Sequence, residues 1–260
     1  MTEVPPSDET PRLRPPASLE SDLAACRSEL ERVRREFDGF TYAVAHDLRA
    51  PLRAVSGFLA ALHEDYVQQL PPPAQAYLQR AIDSAMRSQA MVDVLLRLSR
   101  LGRQPLDLAA IPLADLVRDV RQELVREVSG REIEWRIGPL PTVFADRGLM
   151  REAIGQLLAN AVKFTRPQPR AVIEIFTANH GEPPVIVVRD NGAGFNAARA
   201  AEHLFMPFAR FHAQQEFEGM GAGLAIVERI VRKHGGRVRA ESTQGAGAMF
   251  SFTLGAAPPA

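Results

Sequence analysis

The sequence predicts an α+β protein in two parts. An antiparallel helical hairpin comes first, and it needs a second copy to complete its core. A layered α/β domain follows. Three observations carry this. Apolar residues recur at alternating steps of four and three between residues 19 and 66, as in a helix with one buried stripe. The run Pro71-Pro72-Pro73 interrupts that pattern, which then resumes as far as Gly102. Beyond it, short β-rich runs alternate with amphipathic stretches within one domain's length of chain.

Residues 1–17 carry prolines at 5, 6, 11, 15 and 16 among charged and small residues, a composition that predicts a disordered tail. Over 18–37, Leu19, Leu23, Cys26, Leu30, Val33 and Phe37 sit at heptad spacing with Glu and Arg between them, as in the seam of a two-stranded coiled coil. The stripe continues through Thr41, Val44, Leu48, Leu52, Val55, Leu59, Leu62 and Tyr66. His46 lies two residues from Val44 and two from Leu48, so at about 100° per residue its imidazole projects roughly opposite the buried seam. Pro51 lacks a backbone donor and clashes one turn back, which predicts a kink in the helix and not its end. The consecutive prolines do end it.

A second helix runs through Leu78, Ile82, Ala85, Val92, Leu95 and Leu98. The hairpin over 38–102 leaves an apolar face that pairing into a four-helix bundle would bury, which predicts a homodimer. A linker over 103–109 leads to the second domain, 110–256. Strands are expected at 132–137, 171–177, 185–188, 237–241 and 248–254, and helices at 113–125, 147–164 and 224–234.

Thirty-one basic residues balance 31 acidic ones, so no global field attracts nucleic acid or an anionic membrane. Cys26 is the single cysteine. It excludes an intrachain disulfide and any multi-cysteine metal site, and at a seam position it reads as a small apolar filler. No run reaches the ~20 uncharged apolar residues of a membrane span, and the N-terminus has no signal-peptide core. A cytoplasmic protein is expected.

Chemistry concentrates in a few places. Asp190-Asn-Gly192-Ala-Gly194 follows the apolar run 185–188, putting a carboxylate where a buried strand opens into a turn. Gly219-Met-Gly221-Ala-Gly223-Leu224 precedes a helix. There, glycines allow close backbone approach and free N–H groups favour phosphate. Asn160 and Lys163 share one helix face, offering an amide oxygen for a hard cation and an ammonium for phosphate. Each signal alone is an ordinary turn or solvated face; their order after a histidine helix is what makes them informative.

Over residues 36–254 the chain resembles the two-component sensor histidine kinases. His46-Asp47-Leu-Arg-Ala-Pro51-Leu52 resembles the phosphoacceptor box, and Gln156-Leu-Leu-Ala-Asn160-Ala-Val-Lys163-Phe164-Thr165 the asparagine box. Asp190 to Gly194 resembles the first glycine box, Phe205-Met-Pro207-Phe208-Ala-Arg210 the phenylalanine box, and Gly219 to Leu224 the second glycine box. The resemblance implies a dimeric phosphoacceptor bundle joined to a Bergerat-type ATP-binding domain of α/β-sandwich architecture. It implies autophosphorylation of His46 from Mg·ATP and transfer to an aspartate of a separate response regulator receiver domain.

In that scheme Asp47 hydrogen-bonds the non-attacking ring nitrogen, Asp190 accepts from the adenine amino group, and Asn160, with Gln156 beside it, binds Mg²⁺. Lys163 and Arg210 contact phosphate. Phe164, Gly192, Gly194, Gly219, Gly221, Gly223 and Leu224 complete the nucleotide site, and residues 195–220 form a mobile lid. Two departures stand out. Ala50 replaces the Thr or Asn that many relatives use to position a hydrolytic water, which implies weak phosphatase activity. Gln156 replaces a first asparagine. His63, His180, His203, His212 and His234 receive no chemistry. With no sensor domain legible, a separate input protein is expected. The rival readings are a non-catalytic dimeric scaffold that binds ATP or a receiver, and an ATPase of the Hsp90 or MutL kind.

Overall fold

The computed structural model describes residues 16–128, 131–179, 183–200, 203–211 and 217–255. Of the tail expected over 1–17, residues 1–15, together with His180 and His212, lie outside the described residues, and Pro16 and Ala17 belong instead to the first helix. Helix α1 (Pro16–Tyr66) runs unbroken for 51 residues with Pro51 inside it, so the coil and the His46 segment form one rod roughly 77 Å long at 1.5 Å per residue. A single 3₁₀ turn (Val67–Gln69) leads to α2 (Pro72–Arg103). Pro72 and Pro73 open α2 where a missing N–H costs nothing.

Within the hairpin, Ala45 packs on Val92 and Leu96 of α2, flanked by Tyr42, Leu52 and Leu95. This corrects the phase of the predicted seam. Leu52 turns toward α2, but Val44, Leu48, Val55, Leu62 and Tyr66 are exposed in the single chain. The apolar stripe therefore serves two faces, one inside the hairpin and one outside it.

The second part begins with a two-stranded ribbon that the sequence did not suggest. Strand β1 (Leu108–Pro112) pairs antiparallel with β3 (Thr142–Asp146). Helix α3 (Leu113–Glu127) lies between them in the chain, followed by β2 (Ile133–Ile137), and α4 (Arg147–Phe164) follows β3. Then come β4 (Ala171–Asn179), β5 (Val185–Asp190), a single turn α5 (Ala197–Ala200), α6 (Gly223–Lys233), β6 (Val238–Ser242) and β7 (Ala248–Phe252). Strands in the order β2-β4-β5-β7-β6 make one sheet, parallel only between β2 and β4.

One face of the sheet is apolar. Ile173, Ile175, Ile186, Val188, Phe250 and Phe252 form a core with Leu116 and Val120 of α3, Ile154, Leu157 and Leu158 of α4, and Val227 and Val231 of α6. The other face carries charged neighbours, Arg136 and Arg189 both pairing with Glu174. Helices on one face and solvent on the other make the α/β sandwich.

The two parts are docked. Leu101 of α2 is buried against Leu149 and Ala153 of α4 and Ile226 and Ile230 of α6. Two ion pairs flank this contact: Arg97 with Glu152, and Arg229 with Asp38, whose side chains are only 19% and 14% exposed.

Candidate functional site

A cavity of about 360 Å³ opens between α4, α6 and the loop segments after β5. Gln156, Asn160, Lys163, Phe164, Gly194, Arg210, Gly219, Gly221, Gly223 and Leu224 all line it, so most of the predicted nucleotide residues, scattered over 69 positions (156 to 224), converge. The lining has two characters. Phe195, Leu204, Phe217 and Phe250 give it apolar surface, and Gln156, Asn160, Lys163 and Arg210 polar groups.

Helix α4 supplies the polar wall. It starts because Asp146 caps it, accepting from Leu149 N–H at 3.0 Å. Gln156, Asn160 and Lys163 then recur at steps of four and three, facing the cavity while Ile154, Leu157 and Leu158 face the core. Burial first, then the charges of Arg210 and Arg166, push the Lys163 ammonium below its ordinary pKa. A cation so placed gains from a phosphate anion.

The glycines act by geometry. Gly221 has φ +71°, and a Cβ there would lie 2.2 Å from Ala209 O, so only glycine fits. Its carbonyl accepts from Phe208 N–H at 2.9 Å, tying the two loop segments together; Phe208 itself holds φ 68°. At Gly223 a Cβ would come within 2.6 Å of Gln156 Oε1. The amide oxygen therefore points at the start of α6, where backbone N–H groups are free.

Asp190 and Gly192 do not line the cavity. Asp190 is 5% exposed and sits behind Ala248, which does line it. Burial pushes its carboxyl up to about 6, although backbone amides of Gly192, at 2.8 Å, and Ala248 donate to it and pull the other way. Arg210 does line the cavity, but its guanidinium donates to Phe217 O at 2.9 Å and to Gly219 O. It braces the segment expected to form a lid; of that segment, 201–202 and 212–216 lie outside the described residues.

His46 and Asp47 lie on α1, outside the cavity lining. Their side chains are 63% and 84% exposed, and His46 Nδ1 is 3.3 Å from Asp47 Oδ1. With the proton on Nδ1, that nitrogen donates to the carboxylate and Nε2 keeps its lone pair. The Tyr42 ring stacks one turn away, 6.0 Å from the imidazole, and the Arg103 guanidinium lies over the Tyr42 ring, 4.3 Å from its centroid.

Other participants had no legible signal. Val94 of α2 lines the cavity from the hairpin side. Arg131 donates to Val162 O and Thr165 O, holding the end of α4. His234 is buried; its Nε2 accepts from Asp146 N–H at 3.0 Å and its Nδ1 donates to Ile230 O at 2.8 Å. That makes it a structural link between α6 and the α4 cap. Among the described residues no group of His, Cys, Asp or Glu could hold a metal by itself. No helix among them is long and apolar enough to cross a membrane.

A sandwich with a glycine-edged cavity, carried on a helical hairpin with an exposed histidine, defines an ATP-binding domain linked to a phosphoacceptor module. Comparison with known proteins agrees. Residues 38–104 match the His Kinase A (phospho-acceptor) domain, and 145–258 match the histidine kinase-, DNA gyrase B-, and HSP90-like ATPase family.

The cyanobacterial phytochrome B of a Nostoc species is 35% identical over 235 residues, covering 90% of this chain and 31% of the relative. The methanogenesis regulatory histidine kinase FilI of Methanothrix harundinacea is 33% identical over 227 residues, 87% of this chain and 25% of the relative. Full-length ShkA in complex with AMPPNP superimposes with a TM-score of 0.58 at 29% identity, over 85% of this chain and 47% of that one. The chain belongs to the two-component sensor histidine kinases. It spans 25% to 31% of the length of the first curated relatives.

Proposed function

We propose that the chain is an ATP-dependent protein-histidine kinase of two-component signalling. His46 Nε2 attacks the γ-phosphorus of ATP, a P–N bond forms as the bond to the β,γ-bridging oxygen breaks, and ADP leaves. The phosphoryl group then passes to an aspartate carboxylate of a separate response regulator receiver domain. The observation that carries this reading is the pairing of two features on one chain: an exposed imidazole with Asp47 at Nδ1, and a cavity that gathers Gln156, Asn160, Lys163 and the Gly219-to-Gly223 turn.

The roles follow from chemistry. Asp47 holds the Nδ1 proton and stabilises positive charge as the P–N bond forms. Ionised Asp190 accepts from the adenine amino group, Lys163 and Arg210 face phosphate, and the free amides at the start of α6 complete the cradle. Asn160 and Gln156 offer hard amide oxygens, so they would hold Mg²⁺, which neutralises phosphate charge when bound. Because His46 is not in the cavity lining, transfer requires the cavity mouth to be brought to it.

A second copy covers Val44, Leu48, Val55 and Leu62, completing a four-helix bundle. Input reaches the core through the 18–37 helix, and the kinase works in the cytoplasm. The phosphoacceptor domain runs over 38–102, and the ATP-binding domain, expected from 110 to 256, takes in all of β1 and so starts at Leu108.

Incubation with [γ-³²P]ATP should give acid-labile, alkali-stable label. His46→Gln should abolish it while nucleotide binding persists; undiminished label in that variant overturns the assignment.

A further inference from the structure

Away from the nucleotide cavity, α1, the end of α2 and the end of α6 enclose a second cavity of about 260 Å³. Its walls carry Arg34 and Arg35 from α1 and Arg229, Arg232 and Lys233 from α6, against Glu31 and Asp38. Some of these cations are already answered: Arg229 by Asp38, Arg232 by Glu228 at 2.8 Å, and Lys233 by the Gly102 carbonyl at 3.4 Å.

Arg34 and Arg35 have no close partner, although the more distant Asp38 and Glu228 charges act on Arg34. Glu31 lies one turn before both, yet neither arginine forms an ion pair within 4.0 Å among the described residues. On the same helix Arg32 takes both Glu29 and Glu36 at 2.6 Å. The cations also work against one another. Partial burial first, then Arg229 and Arg232, lower the pKa of Arg34 against the opposing pull of Asp38 and Glu228; burial, then Arg229 and Arg34, lower that of Lys233 against Asp38 and Asp146.

We infer that this joint is a binding site for a small anion bearing two or more phosphate charges. Guanidinium groups present paired N–H donors that match phosphate oxygens two at a time, and two of them here have no acceptor among the described residues. A concave space walled by three helices suits a compact anion better than an extended polymer, which needs an open groove. Such an anion bridges Arg34 and Arg35 of the long helix to Arg232 and Lys233 of α6, relieving their repulsion. It would thereby tie the signalling helix to the ATP-binding domain.

The test is calorimetric titration of inorganic pyrophosphate into the full-length dimer saturated with ADP. Three proteins are compared: wild type, Arg34→Ala/Arg35→Ala and Lys163→Ala. Both arginines are exposed helix positions, where alanine favours the helix, and circular dichroism checks that the fold is kept. The expected result is one pyrophosphate per chain, bound at least tenfold more weakly by the double variant and unchanged in Lys163→Ala. Absence of binding to wild type overturns the inference. So does an affinity that survives loss of both arginines, or one that falls in Lys163→Ala and not in the double variant, which would place the anion in the nucleotide cavity.

Discussion

Asp190→Asn separates two demands on one buried carboxylate. Folding raises this group from an ordinary value near 3.8 to about 6. The native state therefore binds its proton more tightly than the unfolded chain, and stability falls as pH rises between those values and stays at the lower level above them. At 1.36 kcal/mol per tenfold change, ionised Asp190 costs the nucleotide-free fold about 3 kcal/mol near neutral pH. Asparagine removes that cost at every pH and keeps an oxygen for Gly192 N–H. It also turns an NH₂ toward the second donor, Ala248 N–H, which costs about 1–2 kcal/mol. The variant should be about 1–2 kcal/mol more stable than wild type at pH 7.5 and less stable by a similar amount at pH 4. Urea unfolding followed by Trp135, the single tryptophan and part of β2, reads this directly. Other titrating groups cancel in the difference between the two proteins. ATP affinity should meanwhile fall at least tenfold, because the base loses an ionised acceptor. A stability difference that does not change between pH 4 and 7.5 would refute the reasoning.

Three further outcomes are expected. Gly221→Ala forces a side chain into φ +71° and against Ala209 O, costing roughly 1–2 kcal/mol in conformation alone. Equilibrium dialysis should find ATP affinity reduced about tenfold or more, and an unchanged value would remove Gly221 from the cradle. His234→Phe removes the acceptor of Asp146 N–H and the ring donor to Ile230 O, which keeps the backbone N–H of residue 234, so the ATP-binding domain should lose about 1–3 kcal/mol in urea unfolding; equal stability would mean water replaces the lost acceptor. Ala50→Thr supplies the hydroxyl that alanine lacks, so receiver dephosphorylation, slow in wild type, should accelerate. A wild-type rate already equal to that of the threonine variant contradicts the role given to this position.

Legibility followed the range of the interactions. The helix expected over 147–164 is α4 as observed, because its periodicity and Asp146 cap are local. Strand β1 was invisible: Leu-Ala-Ala-Ile-Pro has little β preference, and it is a strand only because β3 pairs with it. The phase of α1 was half legible. An apolar residue at 3.6-residue spacing shows that it is covered, not whether α2 or a second copy covers it. The glycine cradle was readable because close backbone approach demands a residue type. Val94 and Arg131 reach the site or its frame through packing, and no spacing announces them. The Arg229–Asp38 pair joins positions 191 residues apart, so its charges read as solvated helix faces until the chain is folded.

Helix α6 unites these features mechanically. It has 11 residues, a rod of about 16 Å, and each end meets a different site. Gly223 and Leu224 edge the nucleotide cavity, while Arg232 and Lys233 line the basic joint. Between them Ile226 and Ile230 bury against Leu101 of α2, and Val227 and Val231 enter the domain core. A short helix gripped on both faces moves as a unit, so closure of the glycine turn on phosphate and seating of Arg229 on Asp38 are not independent. Linkage then constrains the outcome: whatever factor an anion at the joint applies to ATP affinity, ATP applies the same factor to the anion. The long helix α1 contributes Arg34, Arg35 and Asp38 to that joint. Were α1 displaced at this level, α6, the element in contact with both sites, would carry the change to the nucleotide cavity without passing through His46.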